Sequence, residues 1–169
     1  MKTIVAVDKN WGIGCENDLL FNLPLDMQHF RDSTLGKTVV MGKNTLLSLP
    51  NSKPLKNRQN IVLSAKGVDG EGFALVRSLD DLLEIVKGKD DVYIIGGASV
   101  YELLLPYCDE AMITKVDADG GADCFFPNLD EHTDWKLESE SEWINDGDYR
   151  IRFCVYKRLM INPQGRMPV

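Results

Sequence analysis

The chain has 169 residues, 44% of them hydrophobic and 27% charged, which is the balance of an ordinary globular protein long enough for one domain with a sizeable core. A net charge of −7 argues against nucleic acid as a partner, because phosphate backbones want a basic face, but a few local cations can still hold a small anion. No run approaches the roughly 20 apolar residues that span a bilayer, and the apolar start is about four residues, shorter than a signal peptide's core of roughly 7–15. The expected compartment is therefore the cytoplasm, with no membrane partner.

In chain order, residues 3–7 read as a short buried strand ending at Asp8. Residues 9–23, with Asn10, Gly12, Gly14 and Asn17, read as a long loop, a feature that in compact domains is often functional. Pro24 suits the first turn of a helix running to about Thr34, with Leu23, Met27 and Phe30 as an apolar face. Residues 38–41 and 60–64 are strand-like, and 73–76 offer a third short strand. Ser78 or Asp80 can cap a helix over about 79–87, with Gly88 as its stop. Residues 91–95 form a strongly buried strand, 98–105 a helix up to Pro106, and 111–116 a further strand. From 149 to 158 polar and apolar residues alternate, which predicts an antiparallel strand at the sheet margin, in a hairpin with about 135–142. Residues from about 160 read as a loose tail. Cys15, Cys108, Cys124 and Cys154 are far apart and read as free thiols. Neither they nor His29 and His132 show metal-ligand spacing, so no metal is expected.

Three predicted strands end in similar chemistry: Gly42-Lys43-Asn44-Thr45, Leu63-Ser64-Ala65-Lys66 and Ile95-Gly96-Gly97-Ala98-Ser99. Ligands of open α/β sheets bind beyond the carboxyl ends of strands, where glycine admits a phosphate and a helix start offers free N–H groups. Three such corners together suit a long dinucleotide. Each alone is also what a tight turn or a solvated lysine would give. No G-x-G-x-x-G follows the first strand, so the standard dinucleotide fold is not expected. Asp26 carries a sharper signal. It lies in the first helical turn, beside the apolar Met27 and Phe30. An aspartate there can simply complement the helix dipole. Facing a groove, it can instead pair with an amidine-like edge such as a 2-amino-4-oxo pterin, and partial burial would raise its pKa enough for it to assist protonation.

Taken together, Ile4-Val5-Ala6-Val7-Asp8, Gly12-Ile13-Gly14, Asn22-Leu23-Pro24-Leu25-Asp26, Val40-Met41-Gly42-Lys43-Asn44-Thr45, Arg58-Gln59-Asn60-Ile61-Val62-Leu63-Ser64, Ile95-Gly96-Gly97-Ala98-Ser99-Val100-Tyr101 and Phe125-Phe126-Pro127 make the chain resemble bacterial, chromosomal-type dihydrofolate reductase across about residues 2–158. The resemblance implies one domain over 1–159 followed by the tail 160–169. It implies an α/β fold with a mixed eight-stranded sheet, mostly parallel with an antiparallel C-terminal strand, and four flanking helices. It implies NADPH-dependent reduction of dihydrofolate to tetrahydrofolate, in support of one-carbon metabolism, by a monomer that also binds antifolate inhibitors.

Residue by residue, it implies that Asp26 holds the pterin and promotes its protonation. Arg58 would pair with the substrate's glutamate α-carboxylate. Ile4, Val5, Met27, Phe30, Leu49 and Leu55 would line the substrate pocket, and Thr114 would support Asp26. Ala6, Ile13, Gly14, Leu19, Gly96 and Gly97 would surround the nicotinamide and its ribose, with a cis Gly96-Gly97 peptide. Lys43, Asn44, Thr45, Ser64, Ala65, Arg77, Ser99 and Val100 would hold the adenine and phosphate region, and Asn17, Gly42, Leu63, Lys66, Ile95, Ala98 and Tyr101 would also bind the cofactor. Residues 9–23 match a mobile lid steadied by Asp123.

Two departures stand out. Leu20-Phe21 replaces the family's Pro-Trp, which removes an indole N–H, and the 2′-phosphate region has fewer arginines than in many relatives. A ribosylated-aminopyrimidine reductase of flavin synthesis on the same fold is the nearest rival, and a non-enzymatic pterin- or nucleotide-binding module is the rival of another class. The pairing of Asp26 with Arg58 favours folate.

Overall fold

Buried parallel strands need continuous apolar runs, and this chain supplies four of them in a row across the centre of its sheet. The computed structural model describes residues 1–14 and 19–159; Asn17 and the expected tail 160–169 lie outside the described residues. The elements are β1 (Lys2–Val7), β2 (Gly12–Gly14), α1 (Pro24–Thr34), β3 (Thr38–Gly42), α2 (Lys43–Ser48), β4 (Gln59–Leu63), β5 (Ala74–Val76), α3 (Leu79–Val86), β6 (Val92–Gly96), α4 (Ala98–Leu104), β7 (Glu110–Val116), β8 (Cys124–Phe125), β9 (Trp135–Glu140), β10 (Ile144–Asp146) and β11 (Tyr149–Arg158). Short 3₁₀ turns cover Pro50–Ser52 and Leu105–Tyr107, so Pro106 lies in a tightened turn just past α4.

The main sheet has the order β10-β11-β7-β1-β6-β3-β4-β5. β9 shares the outer edge of β11 with β10, which makes the sheet eight positions wide. The pairs β7-β1, β1-β6, β6-β3, β3-β4 and β4-β5 are parallel. All contacts of β11 are antiparallel. This is the mixed sheet with four α-helices expected from the sequence. Its centre is dry: Val39, Val40, Met41, Val62, Val92 and Ile94 are fully buried. The Ser78 hydroxyl caps α3 by accepting from the Asp81 N–H.

β11 pairs antiparallel with β9 over 135–140, the hairpin partner expected from the sequence, and with β10 further along the same edge. Three expectations need correction. The even-numbered face of β11 is not mostly polar: Cys154 and Tyr156 are buried, and the Tyr156 hydroxyl donates to Asp130 at 2.6 Å. The stretch 9–23 is not all loop, since Gly12–Gly14 forms β2 and pairs with β8. Finally, the apolar face of α1 does not pack wholly inward. Leu23 is buried, but Met27 is 53% exposed and Thr34 is the buried residue of the helix proper.

The first loop is tied down at its root. Buried Asp8 accepts from the N–H groups of Asn10 and Gly12 with one oxygen, both at 2.8 Å, and from Gly120 with the other at 3.0 Å. Gly14 and Asp123 are joined through the Asp123 N–H and the Gly14 carbonyl at 2.8 Å. Gly120 is packed so closely that a Cβ there would lie 2.8 Å from Leu20 Cδ1 and 2.9 Å from Phe21 Cζ.

Candidate active site

The three strand ends with shared chemistry are neighbours in the sheet. β3 lies between β4 and β6, with Gly42 opposite Leu63 and Met41 opposite Gly96. β5 follows, with Val76 opposite Leu63, so Arg77 leaves the sheet at the same end. The Gly96-Gly97 peptide is cis. A Cβ on Gly96 would stand 3.1 Å from the Thr45 hydroxyl, and one on Gly42 would stand 3.0 Å from Val100 Cγ2, so the β3 and β6 corners close on each other through bare backbone. Gly97 and Ala98 are part-buried there, while Asn44 and Ser99 reach solvent.

Beyond β4 and β5 lies a cavity of about 540 Å³ whose lining includes Lys43, Lys66, Arg77 and one acid, Asp69. The Arg77 guanidinium donates to the Ala65 carbonyl at 3.4 Å, and Ser64 closes the turn by donating to Gly67 at 3.3 Å. Leu47, Val68 and Leu75 add apolar wall, and three cations against one carboxylate are a donor set suited to a phosphorylated end of a cofactor. Val100 and Tyr101 are placed differently. Both are buried in the core, and the Tyr101 hydroxyl donates to the Ile4 carbonyl at 2.8 Å. Burial pushes the Tyr101 phenol well above its ordinary pKa, so it stays protonated.

A second group of residues gathers where α1 crosses the sheet. Asp26 is in the first turn of α1, and the Thr114 hydroxyl donates to its Oδ1 at 2.7 Å. Thr114 itself is buried in β7, between Ala6 of β1 and Phe153 of β11. Burial raises the Asp26 pKa, and the Asp146 carboxylate adds to that; the Thr114 hydroxyl and His29 pull the other way. Burial also lowers the His29 pKa, against the attraction of Asp26 and Asp32, and its ring lies 4.3 Å from that of Phe153. Ile4, Phe30, Leu49 and Leu55 belong to one apolar cluster with Val39, Met41 and Ile95. Val5 and Ile13 pack against the neighbouring cluster instead. Leu19 (76% exposed), Leu25 (48%) and Met27 (53%) leave apolar surface uncovered on either side of Asp26 in the chain. Scattered exposed apolar residues are ordinary, but exposed ones flanking a half-buried acid suit a ligand cleft.

Arg58 stands just before β4. Its Nε donates to the Thr34 hydroxyl at 3.2 Å, and its two terminal nitrogens donate to the carbonyls of Lys56 (2.7 Å) and Arg31 (3.3 Å). The fork is thus oriented before any carboxylate arrives. Two residues not singled out in the sequence do this work. Buried Thr34 joins Arg58 to the Phe30 carbonyl. Buried Asn60 bonds both the N–H and the carbonyl of Leu55, and the carbonyl of Arg58, so it fixes the segment that carries them. An asparagine inside an apolar strand is a readable anomaly, since the residue is poor in strands. Asp146 and Asp8 gave no comparable signal.

The family model described as dihydrofolate reductase matches residues 1–158. The dihydrofolate reductase of Bacillus subtilis is 38% identical over 158 residues, which cover 92% of each chain. That of Neisseria meningitidis serogroup B is 37% identical over 157 residues, covering 92% of this chain and 96% of the relative. A solved dihydrofolate reductase from Enterococcus faecalis, complexed with NADP(H) and RAB-propyl, superposes with a TM-score of 0.85 at 29% identity, covering 94% of this chain and 96% of that one. Sequence and fold agree, and the chain belongs to the dihydrofolate reductase family.

Proposed function

We propose that this chain reduces dihydrofolate to tetrahydrofolate with NADPH, and that Asp26 is the residue through which the protein handles the pterin and its proton. The observation that carries this reading is the half-buried Asp26 carboxylate, raised in pKa by burial and held by the Thr114 hydroxyl.

A carboxylate presents two oxygens to the paired N–H donors on one edge of a pterin. With its pKa raised by burial, Asp26 is also a suitable group for promoting protonation of the ring near neutral pH. Ile4, Phe30, Leu49 and Leu55 supply an apolar wall for the flat ring system, with Val5 and Met27 beside them. Arg58, pre-oriented by Thr34, Arg31 and Lys56, takes the glutamate carboxylate at the far end. Lys43, Lys66 and Arg77 fit the phosphates of NADPH, and the close-packed backbone of Gly96 and Gly97 supports an approach of its nicotinamide end there. Bound NADPH supplies the hydride; the protein's own contribution is alignment, exclusion of water and one route for a proton. Inhibitors that carry a diaminopyrimidine edge are expected to compete at Asp26. The protein is expected to work as a cytoplasmic monomer; no helix of the described residues is long and apolar enough to cross a membrane.

The test is spectrophotometric. NADPH consumption is followed with dihydrofolate, with a ribosylated aminopyrimidine, and with neither. Consumption that depends on dihydrofolate is expected. Consumption with the aminopyrimidine alone, or with neither, refutes the reading.

A further inference from the structure

The first turn of α1 has a deficit that its own sequence does not fill. Helix starts leave N–H groups without partners, and a Ser, Thr, Asp or Asn at the cap normally accepts from them. Here the cap is Leu23, which has no accepting side chain, and Pro24 has no N–H to satisfy. The Met27 N–H already reaches the Leu23 carbonyl at 2.9 Å. The N–H groups of Leu25 and Asp26 remain. Both are taken by one side chain from the other end of the chain: Asp146 Oδ1 accepts from Leu25 at 3.0 Å, and Asp146 Oδ2 accepts from Asp26 at 3.1 Å.

We propose that Asp146 is the positioning residue for Asp26: from the β10-β11 hairpin it grips the peptide of Asp26 while Thr114 grips its carboxylate. The inference rests on the reading of Asp26 given above. Asp146 is 2% exposed, so its carboxylate is committed to these contacts. Its place is set by a two-residue turn, in which Asp146 pairs with Tyr149 and Gly147 adopts φ 63°. β11 carries that grip to the other one, since its Phe153 pairs with Thr114. The contact between α1 and the hairpin is filled by Leu23 packed with Val116 and Ile151, and by Phe21 against Tyr149 at 4.7 Å. Peptide and carboxylate of the same aspartate are thus both referred to one rigid antiparallel unit.

Asp146 also acts on Asp26 through charge. Among the described residues, the titratable groups coupled to Asp26 are Asp146 from β10, His29 from its own helix and the buried, protonated Tyr101 phenol from α4, and the Thr114 hydroxyl adds a hydrogen bond from β7. Asp146 is the like charge in this set and favours the protonated acid, whereas His29 and Thr114 favour the carboxylate. It also occupies the N–H groups that would otherwise stabilise an anion at the helix start. Removing its charge therefore weakens proton retention by Asp26 on both counts.

The variant Asp146→Asn keeps the volume and one accepting oxygen but loses the charge; Asp146→Ala loses both hydrogen bonds. The Asp26 carboxyl is titrated by carbon NMR in the ligand-free protein, with its signal assigned by its disappearance in Asp26→Asn. In parallel, kcat is followed against pH. For Asp146→Asn, the Asp26 titration and the high-pH limb of kcat are both expected to move to lower pH. Near neutral pH kcat is expected to fall about fivefold with KM for NADPH unchanged. Asp146→Ala is expected also to melt about 2–4 °C lower. An unmoved titration in Asp146→Asn, with only the melting temperature changed, would reduce Asp146 to a helix cap and overturn the proposal. If Asp146→Ala does not fold, Asp146→Asn decides. If the parent protein fails to reduce dihydrofolate, the functional reading falls, while the ligand-free titration still decides the role of Asp146.

Discussion

The acid at the start of α1 and the cations beyond β4 and β5 hold charge by opposite means. Asp26 is half-buried, bonded to one buried hydroxyl and raised in pKa by its surroundings. Lys43, Lys66 and Arg77 stand around an open cavity, each largely in solvent. Buried charge is strong, geometry-dependent and pH-sensitive; exposed charge is weak, tolerant of position and screened by salt. On the proposed reading, reaction and recognition are separated in kind as well as in place, with a few fixed contacts for the proton and a diffuse field for the cofactor's phosphates.

The sharpest test of that contrast is Asp26→Asn. At neutral pH its kcat is expected to drop about a hundredfold or more, with a smaller loss at acid pH where the substrate is already protonated. A flat ratio of mutant to parent kcat across pH would contradict the role. The same variant carries an opposite effect on stability. The folded Asp26 binds its proton more tightly than the unfolded one, so stability from this group is present below the unfolded value, near 3.8, and is lost as pH rises through the raised folded value. Asp26→Asn should therefore melt higher than the parent at neutral pH, and the gap should close as pH falls. Thermal unfolding at a series of pH values measures this.

Arg58→Leu comes next. Affinity for dihydrofolate, measured by titration of tryptophan fluorescence, should fall about 10–100-fold with a smaller change in kcat, since the bond lost is charge-assisted but remote from the reacting ring. The smallest effect belongs to the open corner. Arg77→Leu should raise KM for NADPH about fivefold at low salt and hardly at all at high salt, and leave KM for NADH unchanged. A loss that persists in high salt would mean that Arg77 is a fixed contact after all, and would erase the contrast.

How much of this was legible in the sequence follows from how local each signal is. The start of α1 was announced by Pro24, the cap of α3 by Ser78, and the buried strands by their valines and isoleucines, because those signals lie within a few residues of what they specify. β2, β8 and β10 were not readable, since such short strands carry no period and lack the apolar run that marked the equally short β5; only the partner across the ladder defines them. The place of β11 and its pairing with 135–140 were legible from its alternation, but not its buried face, because Tyr156 buries its ring while satisfying its hydroxyl at Asp130. Asp26 was found through its apolar neighbours, but the two residues that hold it, Thr114 and Asp146, lie 88 and 120 positions away. Thr114 is legible only through the family resemblance, and Asp146 only through the folded structure. Nothing in a short window announces a cap that arrives from another hairpin.

One detail of the first loop bears on its unusual Leu20-Phe21. The bare backbone of Gly120 fits against both side chains, and Asp8 ties the Gly120 amide to the root of the same loop. The two surface loops therefore mesh like gear teeth. A single methyl group at 120 would have to push the aromatic corner outward, and a bulkier corner would need this bare tooth to remain opposite it. Engineering that restores an indole at 21 thus has to respect residue 120 as its counterpart, although about a hundred residues of chain lie between them.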